Sequence, residues 1–375
     1  MSGQCTDDIE ILANKLGFSC EQAAPVLHLR NPFELANWTL PVLELLIVVG
    51  AALALWWAVR RLRRDGDPVN VVLWFATVLY LLIIEPPLYF PTAFGVADTI
   101  GAVFAHNVFT VQFLYDRLPL YIVALYPAMA MLAYEIVRSL GVFRERGIAG
   151  GAICVGFVHH CFYEVFDQLG PQLRWWTWNE YTPINQPMLA SVPMASVLLF
   201  ATVGPAVLTA MVLALVGGRG RTIGTTGLVL RTLLAAVLMP LALVVVNVPI
   251  ALADRGDPGG ALRWAVYIVY LVLFAVPALW VLVSQMRARG AEPNLFVRIF
   301  GTSYLAVLAA LWIAALPDHL GGSDGVSASL TPNGSIPHAA ACFAVAAVLT
   351  ASVSVRRGPT PPSPGPAPHR TEVTS

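Results

Sequence analysis

Apolar residues in this chain gather into nine long runs, separated by shorter stretches where arginine, glycine and proline collect. The runs fall near 40–59, 69–88, 119–138, 148–167, 189–216, 225–252, 264–285, 299–316 and 337–355. A helix of roughly 20 apolar residues crosses about 30 Å of hydrocarbon. The pattern therefore predicts an all-α polytopic integral membrane bundle of about nine transmembrane helices. Composition agrees, since 57% of residues are hydrophobic, only 12% are charged and the mean hydropathy is +0.71. A soluble domain of this length needs far more charge on its surface.

Arginine placement predicts the orientation. Arg60, Arg61, Arg63 and Arg64 follow the first run, and Arg138, Arg144 and Arg146 the third. Arg219, Arg221 and Arg231 flank the start of the sixth, Arg287, Arg289 and Arg298 separate the seventh and eighth, and Arg356, Arg357 and Arg370 follow the ninth. These are sixteen of the 22 Lys and Arg residues; Lys15, Arg30, Arg117, Arg174, Arg255 and Arg263 remain for the other side. Cytoplasmic loops carry such an excess, so the N-terminus is expected outside and the C-terminus in the cytoplasm of a multi-pass cell-membrane protein.

Four regions follow from the pattern. Residues 1–38 mix polar and apolar positions without the basic start and apolar core of a cleavable signal peptide, and read as an outer cap. Cys5 and Cys20 would share the oxidising side, where a disulfide is allowed; two free small residues is the other reading. Residues 39–218 form a five-helix half that carries most of the polar load. Residues 219–357 form a plainer four-helix half, read chiefly as packing, with Asn247 between Pro240 and Pro249 and Asp318-His319 as its polar points. The proline-rich tail, 358–375, lacks the means to build a core. Cys154, Cys161 and Cys342 read as small buried residues.

Ionisable groups inside a membrane helix are costly and mark chemistry or transport. The fourth run carries His160, Glu164 and Asp167 at i, i+4 and i+7, one stripe of a helix, with His159 about 100° away. An imidazole and a carboxylate one turn apart suit acid and base work or a metal. No third or fourth ligand at a known spacing accompanies them, so no metal ligand is assigned, and the residues name no cofactor. A competing reading leaves the acids as markers of the helix end. Glu85 closes the second run before Pro86 and Pro87, where a carboxylate can face the same outer cavity, with Tyr89 beyond it. Residues 91–118, with Asp116, Arg117 and interleaved aromatics, read as an interfacial segment or an ordinary lid. Glu135, three residues before Arg138, reads as a local ion pair. Trp175, Trp176 and Trp178 are either an interfacial belt or the lining of an apolar pocket able to stabilise a cation. The candidate catalytic set is thus Glu85, Asp116, His160, Glu164 and Asp167. The candidate substrate-binding set is Tyr89, Arg117, Trp175, Trp176 and Trp178.

Several of these features together resemble the membrane-bound carotenoid biosynthesis proteins that include the bacterioruberin-pathway hydratases. The shared features are Glu85 ending an early helix, the aromatic connection Tyr89 to Gly95, and the Leu118-Pro119-Leu120 helix start. Asp167, Trp176 with Trp178, and Val192-Pro193 complete them. The resemblance covers about residues 80–200, and the two histidines stand outside it. It implies a membrane enzyme that hydrates or protonates an isoprenoid double bond, chemistry that needs an acid kept neutral in a dry pocket. The expected partners are membrane lipids and a hydrophobic small-molecule substrate. The alternatives are a transporter or permease, which the membrane acids and the Pro240-Asn247-Pro249 break would also suit, and a non-catalytic membrane partner. Nucleic-acid binding has no support, because net charge is zero and the arginines follow topology.

Overall fold

The computed structural model describes residues 5–218, 223–254, 259–288 and 292–354. The tail 358–375, the 219–220 boundary and Arg221, Arg255, Arg289, Arg356, Arg357 and Arg370 lie outside them. In chain order the elements are α1 (Asp7–Leu16), β1 (Leu27–Leu29), α2 (Thr39–Asp65), α3 (Val69–Tyr89), α4 (Ala97–Ile100), β2 (Phe104–His106), β3 (Val111–Phe113), β4 (Leu118–Pro119), α5 (Leu120–Ser139) and α6 (Val142–Asp167). They continue with β5 (Trp176–Trp178), β6 (Met188–Leu189), β7 (Val192–Pro193), α7 (Ser196–Val216), α8 (Thr225–Asp254), α9 (Ala261–Ala288), α10 (Val297–Leu320) and α11 (Ile336–Ser354). Among the described residues nine helices, α2, α3 and α5 to α11, are long and apolar enough to cross a membrane. The protein is an all-α polytopic bundle.

Burial sorts the bundle into centre and rim. In α5 and α6, 83% and 72% of the most apolar stretch is buried, against 28% in α8 and 22% in α9. The first pair is the hub: α5 packs on α2 and α3, and α6 on α5, α7, α9 and α11. Rim helices turn large apolar side chains such as Val245, Leu241 and Val276 outward, the expected choice where lipid is the solvent. Gly156 lets α6 and α7 approach closely, since a Cβ there would sit 2.5 Å from the Thr202 carbonyl oxygen; small residues serve this purpose between membrane helices.

Three boundaries differ from the sequence reading. The fifth span starts at Ser196 rather than 189, because residues 188–193 pair as a β-hairpin. Glu85 does not end its helix; α3 runs on through Pro86 and Pro87 to Tyr89. Helix α8 continues through Pro240 and Pro249 to Asp254, as prolines are tolerated where neighbouring helices satisfy the backbone, so no break surrounds Asn247.

Outside the spans, segments distant in sequence fold together as a cap. Strand β1 from the N-terminal region pairs with β3, which pairs with β4, while β2 pairs with β5. The connection 91–118 is thus an ordered, strand-paired layer. Cys5 and Cys20 form a disulfide with Cα atoms 5.8 Å apart. Glu44 of α2 fastens this layer to the bundle by accepting the Thr110 and Val111 N–H groups at 3.0 and 3.1 Å.

Candidate functional site

Strand alternation builds the roof of a cavity. In the β2–β5 pair, Phe104 stands opposite Trp178 and His106 opposite Trp176, so all four side chains share one face. Ala105, between them, packs instead with Ile9 and Leu12 of α1. Below this roof a small cavity of about 40 Å³ is lined by Glu85 of α3, Tyr126 of α5, and Tyr163 and Asp167 of α6. A second cavity, of about 30 Å³, shares Leu125, Tyr126, Tyr163 and Phe200 with the first and reaches Tyr80, His159 and Gly204. Both are narrow, and Tyr, Phe and Trp rings supply much of their lining.

Each of the two acids in the first cavity is held chiefly by one oxygen. Tyr126 donates to Glu85 Oε1 at 2.7 Å and the Tyr89 hydroxyl also interacts with this carboxyl, while Oε2 makes no hydrogen bond of ordinary geometry. Ser196 donates to Asp167 Oδ2 at 2.8 Å, and Asp167 Oδ1 has none. Both acids are buried. A buried oxygen without a partner is a costly item in a native fold and calls for a functional account. The indole N–H groups of Trp176 and Trp178 are likewise buried without partners. His106 meets the Tyr121 hydroxyl through Nδ1 at 3.2 Å. Burial pushes its imidazole down to about 3, so the ring is neutral across the physiological range.

Glu135 shows what a purely structural acid looks like in the same bundle. Its carboxylate accepts from Arg138 Nε and Nη2, Asn70 Nδ2, Asn294 Nδ2 and Trp57 Nε1, at 2.6 to 2.9 Å. The ion pair with Arg138 that the spacing suggested is present, as part of a five-donor knot. Neither carboxylate oxygen of Glu135 is left over.

The remaining candidates divide. Tyr89 is buried and packs edge-on against Phe104 and His106, beneath the roof. Trp175 faces away: its ring stacks on Phe166 and its N–H donates to Thr39 Oγ1 at 2.8 Å, which pins α2 to the segment after α6. Asp116 does not share the cavity. It sits in the cap, where Arg30 donates to its Oδ2 and His28 Nδ1 lies 3.0 Å from the same atom. Arg117 is also buried in the cap, where desolvation draws its guanidinium down to about 10. It is outside the residues that line the cleft.

The fourth-run stripe is split between two neighbours. Asp167 turns to Ser196 and the cavity, whereas His160 and Glu164 turn to α11, where His338 Nε2 lies 3.2 Å from Glu164 Oε2. His160, His338 and Cys342 bring donor atoms within 4.8 Å of one another, so the structure supplies the metal-capable partners that spacing within one helix failed to reveal. His159, set aside on sequence grounds, lines the inner cleft and stacks on Tyr163. Both histidines are steered by the π-helical opening of α7, residues Ser196–Val203. His159 Nδ1 donates to the Ala201 carbonyl at 2.8 Å and His160 Nδ1 meets Thr202 Oγ1 at 3.0 Å. π-Turns inside helices are frequent at functional sites.

Neither the family models, nor the curated proteins, nor the solved structures contain a match to this chain. The functional argument therefore rests on the geometry of the site and the pattern of the sequence. Residues missed by sequence reasoning, namely His106, Tyr126, Tyr163, Ser196, His338 and Cys342, come from five elements, and only the His338-x-x-x-Cys342 spacing was a local signal.

Proposed function

We propose that this protein is an integral membrane enzyme acting on an unsaturated, isoprenoid-type lipid. The observation that carries the reading is the pair Glu85 and Asp167, two buried carboxyls that line one cavity and each keep an oxygen outside the hydrogen bonds of Tyr126 and Ser196. One acid gives its proton to an alkene carbon: a C–H bond forms as the O–H bond breaks, and the neighbouring carbon is left cationic. A water oxygen bonds to that carbon and its proton passes to the other carboxylate, so the net reaction is hydration. The faces of Trp176, Trp178 and Tyr163 supply the cation–π stabilisation that an intermediate of this kind needs. Tyr126 and Ser196 hold the acids in place through their other oxygens. The resemblance to carotenoid hydratases favours the same chemistry. An outward orientation of the cap is supported by the arginine bias and by the Cys5–Cys20 disulfide, which suits an oxidising compartment.

Transport, the alternative, keeps the membrane acids as support but loses its other support, a helix break around Asn247, because α8 is continuous there. Broken helices are where transporters commonly place their sites. The discriminating experiment compares lipids and pigments by mass spectrometry in a deletion strain complemented with wild type, Glu85→Gln or Asp167→Asn. Loss of an isoprenoid product at unchanged protein abundance is the expected result. An unchanged lipid profile together with lost uptake of a solute would assign the site to transport.

A further inference from the structure

Farther along the stripe of α6 that carries Asp167, where it borders α11, a second cluster joins the two helices. His338 and Cys342 stand i and i+4 on α11 and share a face, as do His160 and Glu164 on α6. Together they offer two imidazole nitrogens, one sulfur and one carboxylate oxygen. His338 Nε2 lies 3.8 Å from Cys342 Sγ and 3.2 Å from Glu164 Oε2. The edges of a tetrahedron around a metal with bonds of roughly 2.0 to 2.3 Å are about 3.3 to 3.8 Å long. Those two separations are close to coordination distance, and His160 stands within 4.8 Å of both His338 and Cys342; Glu164 lies outside that trio and joins it by a side-chain rotation from beside His338.

The surrounding hydrogen bonds set the donors in the state a metal requires. Thr202 has a single hydroxyl proton, and it donates this to the Val197 carbonyl at 2.7 Å. Its oxygen must then accept from His160 Nδ1, so in the neutral ring Nε2 carries the lone pair. Gln168 is oriented in the same way: its carbonyl oxygen accepts the Ser335 N–H at 2.8 Å, which turns its NH₂ group to Glu164 Oε2 at 3.0 Å. The other oxygen, Glu164 Oε1, is buried with no hydrogen-bond partner. A plain His338–Glu164 ion pair would need neither a thiol beside it nor an imidazole whose second nitrogen is anchored.

We propose that His160, Glu164, His338 and Cys342 form a tetrahedral transition-metal site that ties α6 to α11, with zinc(II) the ion this donor set suits best. Thiolate and imidazole donors fit its borderline softness, and four protein ligands make a closed, structural site. On binding, the Cys342 thiol proton and the Nε2 proton of the His338 imidazolium paired with Glu164 leave to water as the metal takes their places, and the neutral His338 ring keeps its Nδ1 proton. Entry is from the start of α11, where His338 is 26% exposed while Glu164 is fully buried. The site is independent of the hydratase reading, and its test uses no activity.

The full-length protein in detergent is stripped with a chelator, reloaded with zinc(II) or cobalt(II), and assayed for metal content and absorption. One zinc per chain, a rise in unfolding temperature with zinc, and a thiolate-to-cobalt charge-transfer band are expected. Cys342→Ser abolishes that band and Cys154→Ser retains it, while His160→Gln and His338→Gln weaken zinc binding about 10- to 100-fold or more. Wild-type protein that takes up only substoichiometric zinc and gives no charge-transfer band overturns the proposal, whatever the variants do. A band that survives Cys342→Ser also overturns it.

Discussion

Counting the partners of each buried acid gives a quantitative contrast between Glu135 and Glu85. In Glu135→Gln the charge opposite Arg138 disappears, and an NH₂ group meets donors from Arg138, Asn70, Asn294 and Trp57 where an acceptor stood. Breaking a buried ion pair by removing one partner costs about 3 to 5 kcal/mol. Glu85→Gln should differ sharply, because the glutamine carbonyl can still accept from Tyr126, and only the weaker interaction with Tyr89 is at stake at the other position. A change within about 1 kcal/mol is expected there, the worth of one hydrogen bond. Reversible unfolding of detergent-solubilised protein measures both, and the lipid profile of complemented strains measures function. The expectation is a double dissociation: Glu135→Gln costs stability and leaves the products of the folded fraction intact, and Glu85→Gln does the reverse. Equal losses of stability in the two variants would refute the use of unpartnered oxygens to separate functional from structural acids.

Four further outcomes follow from the same geometry. His106 has a folded pKa of about 3, below its unfolded value of about 6.5, so its contribution is complete above pH 6.5 and lost as pH falls toward 3. The slope is at most about 1.4 kcal/mol per pH unit, and a smaller acid sensitivity of unfolding in His106→Gln is the check. The Cys5–Cys20 link closes a sequence separation of 15 residues, worth about 3 kcal/mol in the chain-entropy account; Cys5→Ser should make the cap, and not the bundle, sensitive to protease. Gly156→Ala drives a methyl against the Thr202 carbonyl and should cost about 1 to 3 kcal/mol, with both histidine anchors disturbed and zinc affinity reduced; full zinc binding in this variant would contradict that coupling. Single cysteines placed at position 33 and at position 64, exposed at the end of α2, should label from opposite sides of intact cells with an impermeant thiol reagent, and labelling from one side would contradict the arginine-based orientation.

The spans were legible because lipid imposes one length and one polarity on every helix, so the apolar runs fall on nine helices with ends shifted by a few residues. The larger shift, at 189–196, arose because Met188, Leu189 and Val192 are apolar in a hairpin as well as in a helix. The site was legible only where acids stood out against apolar sequence, as Glu85, Glu164 and Asp167 do. Asp116 stood out equally, but Arg30 and His28, distant in sequence, hold it in the cap away from the cavity, a placement that no local pattern carries. Periodicity placed His160, Glu164 and Asp167 on one stripe correctly, yet a stripe at a helix end borders two neighbours. The identities of those neighbours, α7 and α11, are matters of tertiary packing. Cys342 passed as a filler residue for the same reason: its chemistry depends on His160, 182 positions earlier in the chain.

The strand pairs of the cap also dictate an order of assembly. Strand β1 has no partner until β3 is made, and the cavity roof does not exist until β5, after α6, meets β2. During synthesis the first 38 residues therefore wait for β3 while two spans are inserted, and the roof waits until four are in place. The acids Glu85 and Asp167 are roofed in the same event, so the dry cleft is born closed on the cap side, and a chain stalled before residue 176 would hold Glu85 with no lid above it.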